Sequence, residues 1–290
     1  MPQIAVIIPS YNRPAQLERC LRALMAQDAV DFEVVVVDDG SPTPLQEVCA
    51  AFGDKVRCLR QDNAGPATAR NRGARSTSAP FIAFTDDDCQ PRPDWLSKLH
   101  AAHAGRSDRL VGGLVINALP DDPYASASQA LCDYLYDYFE ADRGNVPFFT
   151  SNNIGMSREG FENIGGFNQT FERAAAEDRD FGLRWRDAGG ALVYAEDAII
   201  DHYHGMTLQK YWRQHSNYGA GAFRLHQLLD ARNADQPKRE PLAFYWGLLT
   251  WPIKKGGLGK LRLSVLLAIS QFAMVAGYSS AARAAKQSSA

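Results

Sequence analysis

The chain has 290 residues, 46% hydrophobic and 22% charged, which suits one large globular domain or a domain with an appendage. A net charge of −2 offers little attraction for phosphate backbones, so nucleic acid is not expected as a partner. Five cysteines, an odd number without CxxC or metal-ligand spacing, point to a reducing compartment and exclude a disulfide framework.

In chain order, residues 4–8 form an apolar run with no charged stretch before it, so no secretion signal is expected there. Residues 15–27 carry Leu17, Leu21, Leu24 and Met25 at helical spacing. A β-branched run at 33–37 closes on Asp38-Asp39-Gly40-Ser41, and a weaker strand follows at 56–59. Gly65-Pro66 opens a short helix over 67–74, since proline suits a first helical turn. A strand at 81–84 runs into Asp86-Asp87-Asp88, and helix 93–103 and strand 109–116 come next. This alternation predicts an α/β fold with a mostly parallel central sheet flanked by helices.

The signals then loosen. Segment 120–145 is aromatic and irregular, and Tyr124, Tyr134, Tyr136, Tyr138 and Phe139 read either as a packed helix face or as a platform for a ring-shaped ligand. Helices are expected at 157–163, ended by Gly165-Gly166, and at 177–187, ended by Gly189-Gly190. A short strand at 198–200 and a long helix at 207–229 complete the body. From residue 238 onward eight basic residues face Glu240 alone, so the preceding body is acidic and the tail basic.

Four loops fall after strands or before helices in a way that gathers them at one edge: 9–13, 38–41, 62–65 and 86–88. Ligands of open α/β sheets bind at the carboxyl ends of the strands. Each loop alone is an ordinary turn signal. Three adjacent aspartates repel one another, and a divalent cation carrying a nucleoside diphosphate would offset that cost; a solvated acidic turn is the plain alternative. With neither GxGxxG nor a P-loop in the sequence, metal held by carboxylates is the expected substitute for a glycine-cradled phosphate.

These residues carry a resemblance. Val6-Ile-Ile-Pro-Ser-Tyr-Asn-Arg-Pro14, Val35-Val-Val-Asp-Asp-Gly-Ser41 and Asn63-Ala-Gly-Pro-Ala-Thr-Ala-Arg-Asn-Arg-Gly73 resemble the nucleotide-binding half of family 2 glycosyltransferases, inverting enzymes of the GT-A fold. Phe84-Thr-Asp-Asp-Asp88 is similar to their D-x-D motif. Asn152-Asn153 with Gly165-Gly166-Phe167 resembles their acceptor-side segment, and Glu177-Asp178 their E-D motif. The order matches from about residue 4 to residue 219.

The resemblance implies a metal-dependent transfer from a nucleotide-sugar donor to a glycan or polyprenyl-linked glycan, as in surface polysaccharide assembly. It assigns Pro9, Tyr11, Asp38, Asp39, Asn63, Gly65, Arg70, Asp86 and Asp87 to the nucleotide sugar, with Asp39 on the base and Asp86 toward the ribose. Asp88 would ligate Mg2+ or Mn2+, and His202 or alternatively His204 would add an imidazole. Asp178 would be the general base, with Glu177 beside it positioning the acceptor; the plain reading of this pair is acid at a helix N-terminus. Asn153, His204 and Arg213 are weaker candidates for the acceptor or the diphosphate, and Arg213 reads equally as a solvated helix residue.

The expected domains are 1–230, catalytic, split into 1–105 on the nucleotide side and 106–230 on the acceptor side, and a 238–280 helical tail. Apolar stretches at 242–252 and 261–276 flank Lys254, Lys255 and Lys260. Each falls short of the roughly 20 apolar residues of a spanning helix, and the composition suits a segment lying on an anionic leaflet. A helical pair packed on the catalytic domain, or a dimer contact, is the alternative. A cytoplasmic protein peripheral to the inner face of the membrane is the resulting expectation. Two rivals remain: a nucleotidyltransferase of related fold, and a sugar-nucleotide-binding protein without turnover.

Overall fold

A computed structural model describes all residues except 1, 29–30, 142–145, 147, 172–174, 233, 235–239 and 289–290. Asn145, Lys238 and Arg239, which the sequence reading used, lie outside the described residues. The chain divides into two compact units: residues 1–116, 146–173 and 177–203, and residues 117–145, 174–176 and 204–290. The second unit therefore takes in part of the range expected to be catalytic together with the whole of the tail.

The first unit is built on strands β1 (Ile4–Ser10) and β2 (Phe32–Asp38), joined by helix α1 (Pro14–Met25). Both strands are apolar at nearly every position and buried on both faces, the pattern of a covered parallel sheet. Leu17, Leu21 and Leu24 put one face of α1 into the core, each worth roughly 1.5–3 kcal/mol when fully buried. Helix α2 (Gln46–Ala50), strand β3 (Val56–Arg60), helix α3 (Pro66–Arg75) and strand β4 (Phe81–Thr85) complete the parallel part, in spatial order β3-β2-β1-β4. Ser10 is opposite Asp38, and Asp38 is opposite Arg60, so these strand ends share one edge.

The rest of the sheet is mixed in direction. It comprises β5 (Cys89–Pro91), then helix α4 (Trp95–His103), β6 (Arg109–Asn117), and, after helix α5 (Pro123–Ala141) of the second unit, β7 (Asn153–Ser157). Helices α6 (Arg158–Asn163) and α7 (Glu177–Asp187) precede β8 (Ala191–His202). The full order is β3-β2-β1-β4-β7-β6-β8-β5, with β7 antiparallel to both β4 and β6, and β5 antiparallel to β8. The register of the three-residue β5 sets Cys89 opposite His202.

The second unit is helical: α5, α8 (Leu208–Ala231), α9 (Leu242–Gly256) and α10 (Leu261–Ser288). Segment 120–145, irregular by sequence, is largely the 19-residue α5. Tyr134 is buried, donates its hydroxyl to the Phe244 carbonyl at 2.7 Å and packs on that ring, as does Tyr138. Those two tyrosines form a packed helix face. Gly219 of α8 and Gly277 of α10 let the two backbones touch, since a Cβ on either would lie 1.9 Å from a carbonyl oxygen of the other helix.

Candidate active site

All of the site described here lies in the first unit. Asp39 ties two loops together: its carboxylate accepts from Gln61 at 2.7 Å and from the N–H groups of Ala64 and Gly65 at 2.9 Å each. Gly65 immediately precedes α3, so Asp39 fixes the start of that helix. Asn63 donates back to the Asp39 carbonyl at 2.9 Å. Gly40 is required between them: its φ is +81°, and a Cβ would meet the Asn63 nitrogen at 2.8 Å. Gln61 was not singled out by sequence; its place beside Asp39 follows from the pairing of β2 with β3.

Asp38 faces inward. It accepts from the backbone of Ser41 and Leu45 and from its cross-strand neighbour Arg60 at 2.6 Å. Burial alone would raise its pKa, but these hydrogen bonds outweigh it and hold the carboxyl below its ordinary value. Asp38, expected at the nucleotide, has its oxygens engaged in shaping the loop.

Arg70, 2% exposed, links three segments. Its guanidinium donates to Asp86 at 2.7 Å and to Glu177 at 3.2 Å, and lies over the Phe167 ring at 5.6 Å. Next along α3, Asn71 exchanges two 2.8 Å hydrogen bonds with the backbone of Phe167. Phe167 in turn stacks on Phe181 of α7 at 4.4 Å. One helix therefore sets the end of β4, the Gly165-Gly166-Phe167 turn and the first turn of α7.

Asp178 follows Glu177 and is partly buried. Burial raises its pKa; Arg179 and Arg70 oppose that without cancelling it. A carboxylate displaced upward in this way is a better proton acceptor at neutral pH than an exposed aspartate.

The three aspartates face three ways. Asp86 turns to Arg70. Asp87 is buried, accepting from Ser10 at 2.6 Å and Arg13 at 3.0 Å, and burial with its acidic neighbours pushes its pKa up to about 6. Asp87, expected on the nucleotide sugar, is held inside the loop by these two partners. Asp88 accepts from Arg13 at 3.0 Å, and its other oxygen is 3.3 Å from His202 Nε2. Asp88, His202 and Cys89 bring ligand atoms within 4.8 Å of one another. The buried Cys89 thiol has its pKa pushed well up by desolvation, so oxygen and imidazole are the available donors.

Tyr11 is 47% exposed at the end of β1, beside the half-buried Pro9. Asn153, in contrast, spends its amide within the sheet. It accepts from Trp95 at 2.8 Å and donates to the carbonyls of Leu114 and Ala198. Asn153, a candidate for acceptor or diphosphate by sequence, is thus engaged by three partners within the protein. His204 and Arg213 belong to the second unit, where His204 pairs with Gln214 at 2.8 Å and Arg213 is exposed on α8.

Residues 5–165 match the family described as Glycosyl transferase family 2. Validoxylamine A glucosyltransferase of Streptomyces hygroscopicus subsp. jinggangensis is 31% identical over 230 residues, covering 68% of this chain and 54% of that protein. Pre-mycofactocin glycosyltransferase of Mycobacterium tuberculosis is 28% identical over 272 residues, 91% of this chain and 55% of the relative. The chain spans about half the length of these curated relatives. Among solved structures, the Pyrobaculum calidifontis mannosyltransferase PcManGT, in complex with GDP-Man and Mn2+, superposes with a TM-score of 0.65 at 17% identity, covering 97% of this chain and 87% of that one. That likeness confirms the GT-A fold expected from sequence. With the sheet order, the strand-end carboxylates and a match over more than half its length in agreement, the chain belongs to Glycosyl transferase family 2.

Proposed function

We propose that this protein is a metal-dependent inverting glycosyltransferase that moves a sugar from a nucleotide-sugar donor to a hydroxyl of a glycan or polyprenyl-linked glycan, in surface polysaccharide biosynthesis on the cytoplasmic side. The observation that carries this reading is the Arg70 bridge, which holds Asp86 after β4 and Glu177, the neighbour of Asp178, on one guanidinium. Relatives in glycoconjugate and succinoglycan biosynthesis support the substrate class.

Asp88 and His202 suit a Mg2+ or Mn2+ ion, because a carboxylate oxygen and an imidazole nitrogen already face each other at 3.3 Å. Such an ion supplies Lewis-acid stabilisation of the departing diphosphate. Asp178 takes the proton of the acceptor hydroxyl. The acceptor oxygen bonds to the anomeric carbon from the face opposite the leaving group, the carbon–phosphate oxygen bond breaks, and the nucleoside diphosphate departs. Tyr11 and Pro9 face the donor base, and Asp39 with Asn63 and Gly65 keeps the start of α3 in place beneath it. The test is a sugar-nucleotide panel with Mn2+, read first as thermal stabilisation and then as transfer. Stabilisation by none of the panel contradicts the reading.

The proposed membrane contact rests on α9 and α10. Leu242, Trp246 and Ile253 repeat along one side of α9, and Leu261, Val265, Phe272 and Val275 along one side of α10, with Trp246 and Phe272 each 71% exposed. Residues 241–290 contain no acidic residue, while Lys254, Lys260 and Arg262 ring the turn between the helices. An exposed apolar stripe with a basic border complements an anionic bilayer surface. Helix α10 is long and apolar enough to cross a membrane, yet it is held backbone-to-backbone against α8, which bears Arg213, Gln214 and Arg224. That packing favours lying on the surface. Sedimentation with phosphatidylglycerol vesicles should carry the protein down, and Trp246→Ser with Phe272→Ser should release it. A protein that ignores such vesicles, or covers the stripe by dimerising, contradicts this contact.

A further inference from the structure

Arg13 ends the loop after β1, one residue before Pro14 opens α1. One nitrogen of its guanidinium lies 3.0 Å from Asp87 Oδ1 and 3.0 Å from Asp88 Oδ2. The other Asp88 oxygen faces His202. The carboxylate best suited to a divalent ion is therefore shared between an imidazole and a positive charge that belongs to the protein.

We propose that Arg13 is a resident counter-ion of this acid cluster: a divalent ion must displace it from Asp88, and the donor's diphosphate then receives it, so that metal and nucleotide bind as a coupled pair. The proposal rests on the metal reading above. Adjacent carboxylates at Asp87 and Asp88 repel, and a guanidinium across both offsets that repulsion before any ligand arrives. A dication on Asp88 would stand within a few ångströms of the same guanidinium, and two positive charges at that range oppose each other.

Arg13 can leave cheaply. Its side chain is 44% exposed, whereas Asp87 and Asp88 are buried at 4% and 8%. Only the backbone beneath it is pinned: Asn12 holds a left-handed φ of 55° and donates its N–H to Ser41 at 2.8 Å. A diphosphate offers the displaced guanidinium a charged, geometrically matched acceptor. Metal alone must break the Arg13 contact without replacement; metal with diphosphate replaces it. By linkage, each ligand then raises affinity for the other by the same factor.

The experiment is Mn2+ binding, read by electron paramagnetic resonance of the free ion, first without nucleotide. Arg13→Gln and Arg13→Met should each bind Mn2+ about tenfold more tightly than the natural protein, equal to about 1.4 kcal/mol. Arg13→Lys, which keeps the charge, should stay within about threefold. In a second series UDP or GDP is added, whichever raises the melting temperature of the natural protein. The gain in Mn2+ affinity on adding it should shrink about tenfold in Arg13→Gln. Unchanged or weaker Mn2+ binding by the two uncharged variants overturns the proposal, as does a natural protein and variants that all fail to bind Mn2+. If neither nucleotide binds, the transferase reading fails, while the metal-only series still decides the role of Arg13.

Discussion

The two compact units differ most in what they bury. The first encloses Asp38, Asp39, Arg70, Asp87, Asp88, Glu177 and Asp180; the second, among the described residues, encloses His215, Ser264 and Ser270 as its buried polar side chains. Burying charge is expensive unless each group is paired and hydrogen-bonded. Hydrophobic packing alone would not retain so many charges in one place, and their concentration at the carboxyl edge of β1, β2 and β4 is where the proposed chemistry is set. The second unit instead shows packed tyrosines inside and apolar stripes outside, the distribution on which the proposed membrane contact rests.

The contrast can be broken experimentally. The largest effect should come from Asp178→Asn, which removes the proposed proton acceptor while preserving shape. Transfer should fall by ~10²–10⁴-fold, the usual worth of a general base. Calorimetric donor binding should stay close to normal. Transfer that survives would move the base elsewhere. In the natural enzyme the acid limb of the kcat/KM profile should lie above the usual aspartate range, because burial raises the Asp178 pKa.

Arg70→Ala should be the most destabilising of these changes, since it leaves Glu177 buried without its guanidinium. Breaking a buried pair costs about 3–5 kcal/mol, and the partial exposure of Asp86 puts the expectation near the lower end. Urea denaturation would measure it. A loss below about 1 kcal/mol would show that Arg70 does not organise the edge.

His215 gives the second unit its own pH signature. The ring is fully buried against Tyr211 and near Ser128, and burial lowers its pKa from 6.5 to about 4. Between those values the unfolded chain takes up a proton that the native ring refuses. Stability conferred by the neutral ring is thus present above pH 6.5 and lost as pH falls toward 4, by ~3 kcal/mol at most. His215→Phe should flatten this slope relative to the natural protein in melts across that range, and equal slopes would contradict it.

The smallest effect on stability belongs to Phe272→Ser on the outer stripe. Its melting temperature should barely move, consistent with surface changes of about ±0.5 kcal/mol, although vesicle binding drops. A large loss of stability would mean that the stripe is covered.

The parallel half was legible because continuous apolar runs at Ile4–Ser10 and Phe32–Asp38 have one sensible home, and because acid-rich loops at strand ends have one sensible edge. The rest of the sheet was legible only in part: strand 109–116 corresponds to β6 and 198–200 to a piece of β8, but β5 and β7 were not foreseen. Strand β7 is five residues with Gly155 at its centre, and β5 is three, too short for periodicity to register. Helix α5 hid behind an aromatic pattern whose partners, such as Phe244, are about a hundred positions away in the chain. The directions of individual side chains were also beyond sequence. Asp38, Asp87 and Asn153 sit in ligand-like motifs yet turn inward, because their partners Leu45, Ser10 and Trp95 are set by tertiary register. The loop holding Arg13 was legible but its reach was not, for the same reason: nothing local shows that a loop after β1 meets the acids after β4.

A crystal soaked with Mn2+ and the stabilising nucleoside diphosphate would interrogate this arrangement most directly, through the anomalous signal of the ion. The signal should fall between Asp88 and His202, in contact with the diphosphate, with the Asp178 carboxylate facing the position of the transferred sugar. A manganese peak remote from Asp88, or Asp178 turned away from the nucleotide, would contradict the account.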